Sequence, residues 1–290
     1  MAQDVGKGGV RAASWLAVPM MLGAMLCLTL LDSVLKHLGA AHPIGPLVFF
    51  RNLVQVAVLL VVVRASAPQA LRTPQPWLHL VRGACLSITT VFITLALTHL
   101  TMAQTYALTF SAPLMATLLA LVFLGERPRA AQWVCMAVGF AGVLVALDPA
   151  GAISFAMLYP LAQAAANAVF YVLTRYAGQR EGALSLVLWA GIGAVVTSAV
   201  GLVAFAPMDA QAWGLLVAGG LAGTCGHLLM AGAFRRAPTA MVSPLVYSQI
   251  IWAMVLGFVL FDEWPTPHAL AGALLVAASG IGVVRFARPS

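Results

Sequence analysis

Apolar residues fall into ten blocks along the chain: Trp15–Leu35, Ile44–Val63, Trp77–Leu97, Met102–Leu124, Ala130–Leu147, Phe155–Thr174, Leu184–Ala206, Trp213–Phe234, Ala240–Phe261 and Ala269–Phe286. Each approaches the roughly 20 residues a helix needs to cross a bilayer. None alternates apolar with polar as a barrel strand would, and lipid accepts only helices or closed barrels. The pattern predicts an all-α membrane protein with ten transmembrane helices and short links. The first block is too long for a signal-peptide core and no small-x-small site follows it, so it is expected to stay in the membrane.

Composition agrees: 62% of residues are hydrophobic and 8% are charged, too little polar surface for a soluble chain of this size. The net charge of +7 raises nucleic acid or anionic lipid as partners, but the basic positions decide otherwise. With the N-terminus placed inside, every inner segment holds two: Lys7 and Arg11, Arg64 and Arg72, Arg127 and Arg129, Arg175 and Arg180, Arg235 and Arg236, Arg285 and Arg288. Lys36 is the one basic residue of the outer loops, and Arg51 and Arg82 lie within blocks. This is the positive-inside bias. It predicts cytoplasmic N- and C-termini, an inner-membrane location and no nucleic-acid partner. Cys27, Cys85, Cys135 and Cys225 all sit in apolar blocks without metal spacing, and read as small packing residues.

A punctuation recurs. Block four ends in L-V-F-L-G-E-R-P, block nine in F-V-L-F-D-E-W-P. Glu126 and Glu263 lie 137 apart, as do Pro128 and Pro265. The same shift aligns Ala103 with Ala240, Leu108 with Leu245, Phe110 with Tyr247, Ser111 with Ser248 and Thr90 with His227, without a gap. Shifted by 139, Lys36 falls on Arg175. Two copies of a five-helix unit follow, 14–147 and 152–286. Five is odd, so the second copy enters the membrane inverted, as in secondary transporters. Arg127 and Arg129 then mark the first Glu-x-Pro as cytoplasmic, and Asp262 marks the second as external.

The segment A-Q-T-Y-A-L-T-F-S-A-P-L-M-A-T-L-L-A-L-V-F-L-G-E-R-P (Ala103–Pro128), its counterpart Ala240–Pro265 and the duplicated order of blocks resemble the drug/metabolite transporter superfamily, EamA type. Within it the chain is similar to exporters of amino acids and related metabolites of the YddG type. The resemblance implies two inverted five-helix repeats, with helices 1–4 and 6–9 around a central cavity and helices 5 and 10 at the periphery.

Polar groups inside the membrane are costly, so each is a candidate for the site. Gln163, Asn167 and Tyr171 form one stripe at i, i+4 spacing. Thr90, His227, Tyr106, Phe110, Tyr247, Gln249 and Trp252 add hydroxyl, imidazole, amide and ring groups on neighbouring blocks. Together they suit a polar ligand with an apolar side chain. The rival role for the hydroxyls and amides is hydrogen bonding between helices. Pro113 and Pro244 interrupt blocks four and nine and are candidate hinges. Arg51 and Arg82 read as snorkelling cations. Gly219 and Gly223, together with Cys135, Gly139 and Gly142, mark close packing.

All eight carboxylates read as lying at helix ends or in loops, Asp32 among them. With no acid in mid-membrane the expectation is a facilitator, or coupling through His227. No metalloprotease, aspartate-pair, nucleophile-elbow or nucleotide-loop pattern occurs, so an enzyme is not expected. The function expected is export of small metabolites, chiefly amino acids including aromatic and neutral ones, by alternating access. A drug, vitamin or nucleotide-type carrier is the alternative. No cofactor and no metal are expected; the partners are the substrate and the bilayer.

Overall fold

The computed structural model describes residues 4–124, 130–146, 154–236 and 243–286. All regular structure among them is helical: α1 Asp4–Gly39, α2 Ile44–Ser66, α3 Pro76–His99, α4 Met102–Thr109, α5 Ala112–Leu124, α6 Ala130–Ala146, α7 Leu158–Gly178, α8 Ala183–Ser198, α9 Ala210–Arg236, α10 Gln249–Phe261 and α11 Pro267–Phe286. Short 3-10 turns precede α3 (Pro68–Leu71), α7 (Phe155–Met157) and α10 (Ser243–Ser248), and one follows α8 (Ala199–Ala204). Six stretches are long and apolar enough to cross a membrane: Leu16–Gly39, Ile44–Ser66, Pro76–His99, Phe155–Gly178, Ala183–Ala204 and Ala210–Ala233. Shorter apolar helices occupy Trp133–Ala146, Leu245–Phe261 and Pro267–Ser279. Glu126, Arg127, Pro128, Arg129 and Asp148 lie outside the described residues.

Three boundaries depart from the apolar blocks. The first helix runs on to Gly39 rather than stopping at Leu35. Block four is two helices, with Phe110 and Ser111 between them. Pro113 explains this: it has no N–H to give the carbonyl of Thr109. The local bonds close around the gap instead, Phe110 N–H to Tyr106 O and Ser111 N–H to Leu108 O, both at 3.0 Å. In block nine, Ser243–Ser248, which holds Pro244, is a 3-10 turn and Gln249–Phe261 is α-helical; residues 240–242 lie outside the described residues. The side chains of Pro113 and Pro244 are outside the description.

Most tertiary packing joins the two halves of the chain. Helix α1 lies along α9, α3 along α7 and α8, α2 along α8 and α9, and α6 along α11. Small residues make the closest of these contacts. A Cβ at Gly83 of α3 would stand 2.1 Å from the Gly193 carbonyl carbon of α8. Gly219, Gly223 and Gly226 of α9 receive Val34, Leu31 and Leu28 of α1. Gly139 and Gly142 of α6 face Ser279 and Leu275 of α11. The end of the bundle where α1 begins is the near end; the opposite end is the far end.

Candidate substrate site

The breaks in blocks four and nine face each other. Phe110, at the first break, lies 5.1 Å by ring centroid from Tyr247, in the turn before α10. Tyr106, one turn earlier on α4, stands 6.1 Å from Phe110. The Tyr106 hydroxyl donates to Asp32 Oδ2 on α1 and accepts from Gln249 Nε2 at 3.2 Å. One phenol thus ties α1, α4 and α10 together. Asn167 Nδ2 donates to Tyr171 Oη at 3.0 Å on α7, as their i, i+4 spacing predicts. His227 of α9 and Asp32 both lie within electrostatic reach of Arg51 on α2, and Tyr247 within that of Tyr171.

Asp32, His227, Tyr247, Gln249 and Trp252 are neither fully buried nor exposed, and Tyr171 keeps 43% of its surface. This partial exposure of polar groups on α1, α7, α9 and α10 sets the region apart from the dry apolar clusters. Several polar atoms around it are buried without a partner: Arg51 Nε, Gln55 Oε1, Gln163 Oε1, Trp252 Nε1, Ser111 Oγ and Ser248 Oγ. Such groups are costly in an apolar medium and are what a polar ligand satisfies. Ser111 and Ser248 occupy equivalent positions at the two breaks. By contrast, the cavity of about 400 Å³ between α2 and α9 is lined by Val58, Leu221, Thr224, Cys225, Leu228 and Leu229. Its one hydroxyl, Thr224 Oγ1, already donates to Gly220 O at 2.8 Å, so the lining is almost wholly apolar.

Of the residues expected at the site, Tyr106, Phe110, Tyr247 and Gln249 come together in direct contact. Asn167 pairs with Tyr171, and Gln163 sits one turn away on the same helix. Trp252 packs against the apolar cluster that holds Met21 and Met25 of α1. The Thr90 hydroxyl donates to Leu86 O at 2.9 Å within its own helix.

Two expectations are corrected. Asp32 is not at a helix end: it lies seven residues before Gly39, about 10 Å inside the helix end at 1.5 Å per residue. The membrane-spanning part therefore does contain a carboxylate, and the ground for expecting an uncoupled facilitator falls. Arg51 and Arg82 do not snorkel; they are 4% and 1% exposed. Arg51 donates to Asn52 Oδ1 at 2.7 Å.

Arg82 belongs to a clasp near the near end. It contacts His79 Nδ1 at 2.7 Å and donates to Thr174 Oγ1 at 3.1 Å. His79 Nε2 meets Glu181 Oε1 at 2.9 Å, and Glu181 also accepts from Thr73 and Ser185. Burial pushes the Glu181 carboxyl up, but the hydrogen bonds from Ser185, His79 and Thr73 outweigh it and hold the group below the usual carboxylate range. At the far end Lys36 Nζ meets Glu263 Oε1 at 2.8 Å and donates to the carbonyls of Leu97 and Leu100. Glu263 Oε2 accepts from Met102 N–H, the first amide of α4, at 2.8 Å.

Comparison with known proteins decides the family. The EamA-like transporter family matches residues 15–147 and again residues 154–285. The chain belongs to the EamA-like transporter family. An EamA-like relative, the S-adenosylmethionine uptake transporter of Rickettsia conorii, is 26% identical over 87% of this chain and 87% of its own. The pseudopaline exporter of Pseudomonas aeruginosa is 25% identical over 98% and 99%. The riboflavin transporter of Brucella anthropi is 25% identical over 82% and 86%. A crystal structure superposes with a TM-score of 0.63 at 21% identity, over 91% of this chain and 96% of the other, which bears on the fold alone. This EamA-like chain is thus a multi-pass membrane protein of a family of small-molecule transporters.

Proposed function

We propose that the chain is an alternating-access carrier exporting small metabolites of α-amino-acid type, aromatic and neutral ones included, across a bacterial inner membrane. It spans ten times, as two inverted five-helix repeats with both termini in the cytoplasm. α4 with α5 counts as the fourth span, and the turn Ser243–Ser248 with α10 as the ninth. The observation that carries the reading is the pair of broken helices. Their breaks lie 137 residues apart and join in one polar-aromatic cluster, Tyr106, Phe110, Tyr247 and Gln249. Discontinuous helices meeting at a repeat interface are how secondary carriers build a substrate site. Packing supports the symmetry, because α1 on α9 and α3 on α7 are the same contact in the two repeats. Family membership supports transport and leaves the substrate open, since the relatives are named for three different ones.

Purified protein in liposomes loaded with unlabelled amino acid should accumulate the labelled form by counterflow. Tyr106→Phe and Gln249→Ala should each reduce exchange about tenfold, the effect of losing ~1.4 kcal/mol. Absence of counterflow across a panel of neutral and aromatic amino acids removes the amino-acid reading. A riboflavin or nucleotide signal in the same assay would favour the vitamin or nucleotide alternative.

A further inference from the structure

The interior holds two charges of opposite sign that do not neutralise each other. Asp32 on α1 accepts one hydrogen bond, from Tyr106, and forms no ion pair among the described residues. Lys36, one turn along the same helix, is committed to Glu263 and to two carbonyls. Arg51 on α2 is 4% exposed, with one nitrogen on Asn52 and its Nε without a partner. Asp32 and Arg51 feel each other electrostatically, yet they are not among the pairs within 4.0 Å. An uncompensated charge in a low-dielectric interior is expensive. Two such charges, held apart by their own helices, are balanced together by one ligand that carries both signs.

We infer that Asp32 and Arg51 form a two-point site for a zwitterion, with Asp32 taking a cationic group, ammonium or sulfonium, and Arg51 the carboxylate. The guanidinium fork suits a carboxylate. Tyr106 of α4 donates to the Asp32 carboxylate and is itself held by Gln249 of α10, so filling the site links α1 and α2 to both. His227 of α9, also within reach of Arg51, stands on the carboxylate side. The inference deepens the proposed function by naming the charge pattern of its substrate.

Three probes separate the charges: phenylalanine, phenethylamine without the carboxylate, and 3-phenylpropanoate without the ammonium. Ligand-dependent thermal stabilisation of detergent-purified protein reads binding; counterflow reads transport. Wild type should be stabilised by the zwitterion at concentrations at least tenfold below either analogue. Asp32→Asn should lose the zwitterion at least tenfold while keeping 3-phenylpropanoate. Arg51→Gln should lose it similarly while keeping phenethylamine. Asp32→Glu should recover part of the loss, which separates charge from folding. The inference fails if wild type prefers a single-charge analogue, if zwitterions do not stabilise it, or if both variants weaken all probes alike. Zwitterion binding that depends on both residues, without counterflow, would keep the site and remove the amino-acid carrier.

Discussion

Among the described residues, two charged clusters stand at opposite ends and hold different things. The near-end clasp of His79, Arg82 and Glu181 joins α3 to α7 and α8, all unbroken helices. It lies beside the place where α3 and α8 touch backbone to backbone at Gly83 and Gly193. The far-end pair of Lys36 and Glu263 joins α1 to the segment after α10, and Glu263 also grips the first amide of α4. Both α4 and α10 start or stop at a break. The first cluster therefore tightens a close-packed seam, and the second ties together the elements that the proposed alternating access would move. Burying a charge pair does not tell a scaffold from a latch; what the pair is attached to does.

The largest effect tests the seam. Gly83→Val places atoms into the Gly193 backbone, and overpacking of that kind costs about 1–3 kcal/mol or more. It should abolish monodisperse protein on size exclusion, whereas Gly182→Ala, with nothing within 4 Å of its Cβ, should not. Next, Glu181→Gln leaves His79 and Arg82 without their anion. Removing one partner of a buried pair costs ~3–5 kcal/mol, so the melting temperature should fall while counterflow per folded molecule stays unchanged. A loss of turnover without a loss of stability would make the clasp a gate and void the contrast.

Lys36→Met and Glu263→Gln should do the reverse. An ion pair that favours one conformation by ~1–2 kcal/mol shifts its population about 5- to 30-fold. Turnover should change by that order with little change in melting temperature, and the exchanged pair Lys36→Glu with Glu263→Lys should restore it. Acid offers a gentler probe. The folded Glu181 carboxyl lies below its ordinary range, so its contribution is complete above that range and is lost as pH falls through its own lower value. Wild type should lose melting temperature below about pH 4.3, the ordinary glutamate value, more steeply than Glu181→Gln. Smallest of all, Thr90→Val removes a buried hydroxyl bonded to its own helix and should cost about 0.5–1.5 kcal/mol, the net worth of one hydrogen bond, with transport unaltered.

Much of this was legible in the chain because lipid makes one signal dominate: a run of apolar residues is a helix. Phe110 and Tyr247 could be singled out because the 137-residue repeat pairs them, and Tyr106 and Gln249 because a polar group inside an apolar block is costly. Asp32 was misplaced because an apolar run ends at its last apolar residue, whereas a helix continues while its backbone bonds continue. The corrective signal was present: Thr29, Asp32, Ser33 and Lys36 share one face at i, i+3, i+4 and i+7. Arg51, Asn52 and Gln55 give block two a similar polar side. Arg82 looked like a snorkelling cation because its partners, Thr174 and Glu181, are about a hundred residues away. Such pairings depend on which helices adjoin, and no local pattern carries that.

The break at Phe110 and Ser111 also bears on speed. A carrier that had to open a continuous helix in each cycle would strip backbone groups of their partners, at several kcal/mol each in lipid. Here the amides on either side are already closed onto their own segments, and α4 is sealed at its start by Thr101 and Gln104. A pivot at residues 110 and 111 would disturb one spanning backbone bond, Ser111 N–H to Leu108 O, rather than a full helical turn, so most of the climb between conformations is left to side chains sliding past one another. Exchange should then rise only gently with temperature, its activation enthalpy well below that of a carrier that melts a helical turn to move.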